Sequence, residues 1–166
     1  MADYGIKTYR LNAARLARGL RQGFSLTEDG ALHTQGDGPH FILLPALDSA
    51  QPDCAWGRLS LVGDLGAESM LTIRAVASNQ DAVIRNNEVV KIDDFLLDPA
   101  ISPAEKERMF TLADGMERSG VWDVLLTGQT GRYLWLWLEV TGAEPGALTR
   151  LRVYTPGDNF FRTFPQ

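Results

Sequence analysis

Short alternations of apolar and polar residues, broken by Gly, Pro, Asp and Asn, run along most of this chain. A period of two is what a half-buried β-strand imposes, since successive side chains point to opposite faces. The clearest early unit sets Phe24-Ser25-Leu26-Thr27 and Ala31-Leu32-His33-Thr34 around Asp29-Gly30, a pair suited to positive φ, and predicts a β-hairpin. The same pattern predicts strands over 40–44, 57–62, 70–77, 89–92, 121–127, 132–141 and 148–154. About eight to ten short strands imply an all-β chain, an antiparallel β-sandwich of jelly-roll-like kind.

The richest segment spans 131–142. There Leu134, Leu136, Leu138 and Val140 alternate with Tyr133, Trp135, Trp137 and Glu139, so both faces are apolar through the centre. This predicts a central strand covered on both sides. Trp135 and Trp137 share one face; the spacing suits core filling beneath a neighbouring segment or, if exposed, a carbohydrate platform on which sugar C–H faces stack. In the next strand Leu151 and Val153 alternate with Arg150, Arg152 and Tyr154, giving one buried and one wetter face.

Helical signals are few. Leu16 and Leu20 sit four apart and predict a short helix over 15–22, weakened by Gly19. A stronger helix is predicted over 102–114: Ser102 caps it, Pro103 takes the first position, and Glu105 completes a capping box. Met109, Leu112 and Ala113 would share its apolar face, with Gly115 ending it. It lies inside a long connection, 93–120, of a length that in compact domains usually covers something or carries a function.

The 166 residues include 16 Lys and Arg against 21 Asp and Glu, a net charge of −5, and 45% are hydrophobic. One domain over 1–166 is expected, burying roughly 68–70% of its unfolded surface without disulfide or metal staples. Lone Cys54 excludes an internal disulfide and a zinc module, and is expected to act as a small buried hydrophobe. Charges interrupt the apolar runs of the N-terminus, so no secretory leader is predicted and synthesis in the cytoplasm is expected. No run approaches the ~20 apolar residues of a membrane helix. The acidic balance argues against a nucleic-acid binder. Arg10, Arg15, Arg18 and Arg21 form a local basic series, either a solvated face or the mark of an anionic partner.

Catalytic chemistry finds little support. His33 and His40 bracket Gly36-Asp37-Gly38-Pro39, but with Asp37 they offer at most an incomplete ligand set, and exposed or hydrogen-bonded histidines are expected. No Ser lies in a G-x-S-x-G turn, and Gly63-Asp64-Leu65-Gly66 is neither a dinucleotide fingerprint nor a P-loop. Asp93, Asp94 and Asp98 do not follow EF-hand spacing and read as a solvated loop. No catalytic residue, cofactor or metal is therefore expected, and the chain reads as a non-enzyme.

Phe160, Phe161 and Phe164 concentrate apolar mass at the C-terminal end, beside Arg162. Here the run Gly131-Arg132-Tyr133-Leu134-Trp135-Leu136, the Thr141-Gly142 turn, Leu151-Arg152-Val153-Tyr154 and Pro156-Gly157-Asp158-Asn159-Phe160 through Pro165 resemble the closing part of a β-rich domain. That domain is the N-terminal module of phage-tail-like baseplate proteins of contractile injection systems, related to phage tail protein I. The similarity covers 121–165. Gly157 stands where that family prefers Arg, and Phe164 where Leu precedes the Pro. The resemblance implies a structural module, excised or stand-alone, assembled into a phage-tail-like particle. Its partners would be other tail or baseplate subunits, met by protein–protein contacts with Phe160, Phe161, Arg162 and Phe164 at the junction, with neither nucleic acid nor membrane insertion. The alternative is a carbohydrate-binding jelly-roll module using Trp135 and Trp137.

Overall fold

The computed structural model describes residues 7–116, 119–142 and 145–156. The alternating segments form strands, most of which pair into two antiparallel sheets packed face to face as a jelly-roll-like β-sandwich, with one further two-stranded hairpin. The first half supplies β1 (Lys7–Arg10), β2 (Leu20–Gln22), β3 (Phe24–Leu26), β4 (Leu32–Thr34), β5 (His40–Leu43) and β6 (Leu47–Asp48). Then come β7 (Arg58–Asp64), β8 (Met70–Ser78), β9 (Ala82–Arg85), β10 (Glu88–Lys91), β11 (Leu112–Met116), β12 (Gly120–Leu125), β13 (Tyr133–Thr141) and β14 (Ala147–Thr155).

Sheet A runs β12-β7-β14-β4-β3, with β1 also on β14; sheet B runs β11-β8-β13-β5-β2, with β6 also on β13. Between them lies the main core, where Leu59, Leu61, Val153 and Leu148 of sheet A meet Leu71, Ile73, Leu134, Leu136 and Leu138 of sheet B. The predicted hairpin is β3–β4, closed by Gly30 at φ 87°. The predicted central strand is β13, paired with β8 along its length and with β5 and β6 on its other edge. Gly131 at its start packs so closely on Ser78 that an added Cβ would lie 2.5 Å from backbone.

The helices differ from the sequence expectation. Helix α1 covers only Ala13–Ala17, capped by Asn12, and Leu20 belongs to β2, so Leu16 and Leu20 do not share a helix. Helix α3 is Pro103–Glu107, with Ser102 accepting from the Glu105 N–H as predicted, but it stops after one turn. Leu112, Ala113 and Gly115 lie in β11 against β8, because backbone pairing to an open sheet edge outweighs a marginal helix propensity. The connection also contains α2 (Ile92–Leu96), which periodicity did not announce.

This connection covers the outer face of sheet B. Ile92, Phe95 and Leu96, with Val83 and Val90 of the β9–β10 hairpin, Ile101, Met109 and Phe110, pack on Phe41, Leu43, Trp135 and Trp137. Trp135 and Trp137 are 1% and 2% exposed, so they form no sugar platform. Cys54 is half-buried against the main core. Among the described residues no helix is long and apolar enough to cross a membrane.

Candidate functional site: the open face of sheet A

With sheet B covered, the outer face of sheet A is the large surface left uncapped by the described residues. Strand register fixes which residues share it. Thr8, Tyr154, Arg58 and Leu125 form one row, and Arg10, Arg152, Ser60 and Asp123 the next. The intervening row, Tyr9, Val153, Leu59 and Val124, points into the sandwich.

Strand β14 is irregular in its middle. Thr149 pairs with Val62 and Arg152 with Ser60, so Arg150 and Leu151 together face the single Leu61. This is a β-bulge, and Arg150 takes it up at φ 55°, a left-handed conformation unfavourable for a residue with a Cβ. Leu148 and Leu151 can then both reach the core although they are three residues apart. Arg150 is thrown outward and exposed.

Four arginines thus meet on this face, from positions 10, 58, 150 and 152. Arg58 lies over the Tyr154 ring at 4.4 Å and pairs with Asp123 at 3.5 Å. Arg10, Arg150 and Arg152 have no ion pair among the described residues. Arg150 and Arg152 line two depressions at once. One, of about 540 Å³, lies between the bulge and the Asn12 and Asp29-Gly30 loops; the other, of about 240 Å³, lies between the bulge, Tyr154 and Val121. Asp29 is the acidic residue on the rim of the larger. The Thr27 hydroxyl donates to it and holds its carboxyl below the usual carboxylate range.

Two apolar pairs are strongly exposed on opposite sides of the sandwich. Val121 and Leu125, on the outer face of edge strand β12, are 72% and 67% exposed. Ile84 and Val89 face each other across the β9–β10 hairpin, 78% and 77% exposed, next to an Asn86-Asn87 turn with both φ positive.

The other sequence candidates fall elsewhere. Phe160, Phe161, Arg162 and Phe164 lie outside the described residues. The basic series is dispersed: Arg15 and Arg18 go with α1, Arg21 donates to the Phe24 carbonyl at 3.1 Å, and only Arg10 joins the arginine face. His40 is buried, its ring nitrogens 3.3 Å from the Val140 carbonyl and 2.9 Å from that of Gly36, while His33 is exposed on β4. Among the described residues no cluster of His, Cys, Asp and Glu could hold a metal. Asp93 is a tie to Trp135 and Ala46, and Asp98 receives the Ala100 N–H. The wet side of 150–154 was legible in the alternation, whereas the grouping with Arg58 depends on strand pairing. The trace of the bulge was there in the three-residue spacing of Leu148 and Leu151.

No protein-family model matches the chain, and no curated protein matches it. Among solved structures, the chain is similar to part of a glycosylation-associated protein complex from Streptococcus agalactiae, at 11% identity and TM-score 0.48, over 91% of this chain and 26% of that one. It thus spans about a quarter of that protein's length. A family 29 carbohydrate-binding module matches at 9% identity and TM-score 0.45, over 92% of this chain and 90% of that one. A family 29 module from Piromyces equi matches at 11% identity and TM-score 0.45, over 92% and 91%. At these scores they decide nothing about function.

Proposed function

We propose that this β-sandwich is a non-catalytic assembly module that holds neighbouring subunits by protein–protein contacts, in a phage-tail or contractile-injection-system baseplate. The observation that carries the reading is the pair of exposed apolar patches on opposite sides of the sandwich, Val121 with Leu125 and Ile84 with Val89. A subunit set between neighbours needs two such surfaces. Apolar anchors beside arginine are the residues that dominate interface energies, and Val121 stands in the depression that Arg150 and Arg152 line. The likeness of 121–165 to the baseplate module runs through β12, β13 and β14, the strands that carry one patch and the arginine bulge.

The test is incorporation. Val121→Asp with Leu125→Asp, and separately Ile84→Asp with Val89→Asp, change exposed residues and should leave the melting temperature unchanged. Each pair should abolish co-purification with tail-shaped particles from native cells. Undiminished incorporation of both would sink the assembly reading.

A second reading, a carbohydrate-binding module, moves from Trp135 and Trp137 to sheet A. The groove beside Arg150 favours it, because a concave, mixed-polarity depression is what a small hydroxylated ligand requires.

A further inference from the structure

Arg10 and Arg152 are direct cross-strand partners on one face of sheet A. Like charges so placed repel, and no carboxylate pairs with either among the described residues. The bulge adds a third cation, Arg150, held in a left-handed conformation that costs stability and aims its side chain outward. The chain has a net charge of −5, so this concentration runs against its own composition. Repulsion retained at one place is relieved by a bound anion.

The shape of the place narrows the anion. These arginines line a groove of about 540 Å³, inside the roughly 300–1,000 Å³ range of small-ligand sites. Its rim also presents acceptors that cations do not explain. The Asp29 carboxylate is held ionised, and it would repel a simple phosphate or a purely acidic chain. Asp29 and Thr149 suit hydroxyl donors, while the arginine forks suit a carboxylate.

We infer that the groove formed by Arg10, Arg150 and Arg152 with Asp29 is a binding site for an acidic sugar, a uronate whose carboxylate meets the arginines and whose hydroxyls meet Asp29. The inference rests on the second reading above, and names the ligand class that reading leaves open.

The experiment is calorimetric titration of the full chain with trigalacturonate, with neutral cellotriose and with hexaglutamate. Trigalacturonate should bind, more weakly at high salt, and Arg150→Gly and Arg10→Gln should each weaken it about ten-fold or more. Glycine accepts the φ of residue 150, so Arg150→Gly keeps the fold while removing the cation, which an unchanged melting temperature or a raised one confirms. Cellotriose binding as tight as trigalacturonate, or binding indifferent to both substitutions, would overturn the acidic-sugar site while leaving carbohydrate recognition standing. Failure of both sugars at millimolar concentration would remove both. Hexaglutamate binding tighter than trigalacturonate would overturn the inference and give the groove to an acidic protein segment.

Discussion

The indole N–H of Trp135 donates to a carboxylate oxygen of Asp93 at 2.8 Å, and that same oxygen accepts the Ala46 backbone N–H at 2.9 Å. One side chain in the first turn of α2 thereby fastens the connection to the central strand and to the chain leaving β5. The tie explains why the tryptophans of β13 are not available to a ligand: the segment above them is bonded to the face it covers.

Asp93→Ala should cost about 1–3 kcal/mol, because two donors lose one acceptor under cover. Asp93→Asn keeps an acceptor oxygen and should cost less. Urea unfolding followed by tryptophan fluorescence measures both, and equal losses would deny the carboxylate its role.

The two tryptophans should respond differently to a conservative change. Trp137 Nε1 is buried with no hydrogen-bond partner among the described residues, while its ring lies under Arg74 at 4.7 Å and edge-on to Phe110 at 5.6 Å. Trp137→Phe removes an N–H that has nothing to lose, and Trp135→Phe breaks the bond to Asp93. Denaturation should show the larger loss for Trp135→Phe, by about 1 kcal/mol. Trp137→Ala should cost about 3–5 kcal/mol as a cavity opens beneath the connection.

Lys106 of α3 is 1% exposed, and its ammonium donates to the Asp98 carbonyl at 2.6 Å. Burial pushes its pKa below the ordinary lysine value, and the Asp98 charge opposes this without cancelling it. The folded state therefore gives up this proton more readily than the unfolded chain does. The cost of burying the charge is fully present below the lowered folded value and fades as pH rises from there toward about 10.4. Lysine-linked stability should increase across that alkaline window, and Lys106→Met should abolish the increase. Urea midpoints at stepped pH on both proteins give the comparison; parallel curves would count against it.

Arg150 sits at φ 55° on the bulge. Arg150→Gly should stabilise the fold by about 1 kcal/mol, the left-handed penalty less the added freedom of the unfolded chain. Arg150→Val, β-branched in the same conformation, should lose about 1–2 kcal/mol. Thermal melts decide, and a glycine variant less stable than the parent would mean that the arginine makes a compensating contact in the fold.

Local spacing by itself determined the all-β class, the β3–β4 hairpin and the doubly apolar strand β13, because alternation and turn chemistry act between residues a few positions apart. The Ser102 cap was legible for the same reason; the length of its helix was not, since an open edge of sheet B took Leu112 and its neighbours into β11. Whether Trp135 and Trp137 faced a ligand or a lid was decided by the tertiary structure alone, when residues between Val83 and Phe110 folded over them. So was the arginine face: positions 10, 58, 150 and 152 share it only because β1, β7 and β14 lie side by side. Strand pairing joins segments that no local period relates, and it is pairing that decides which polar faces of single strands become one charged surface.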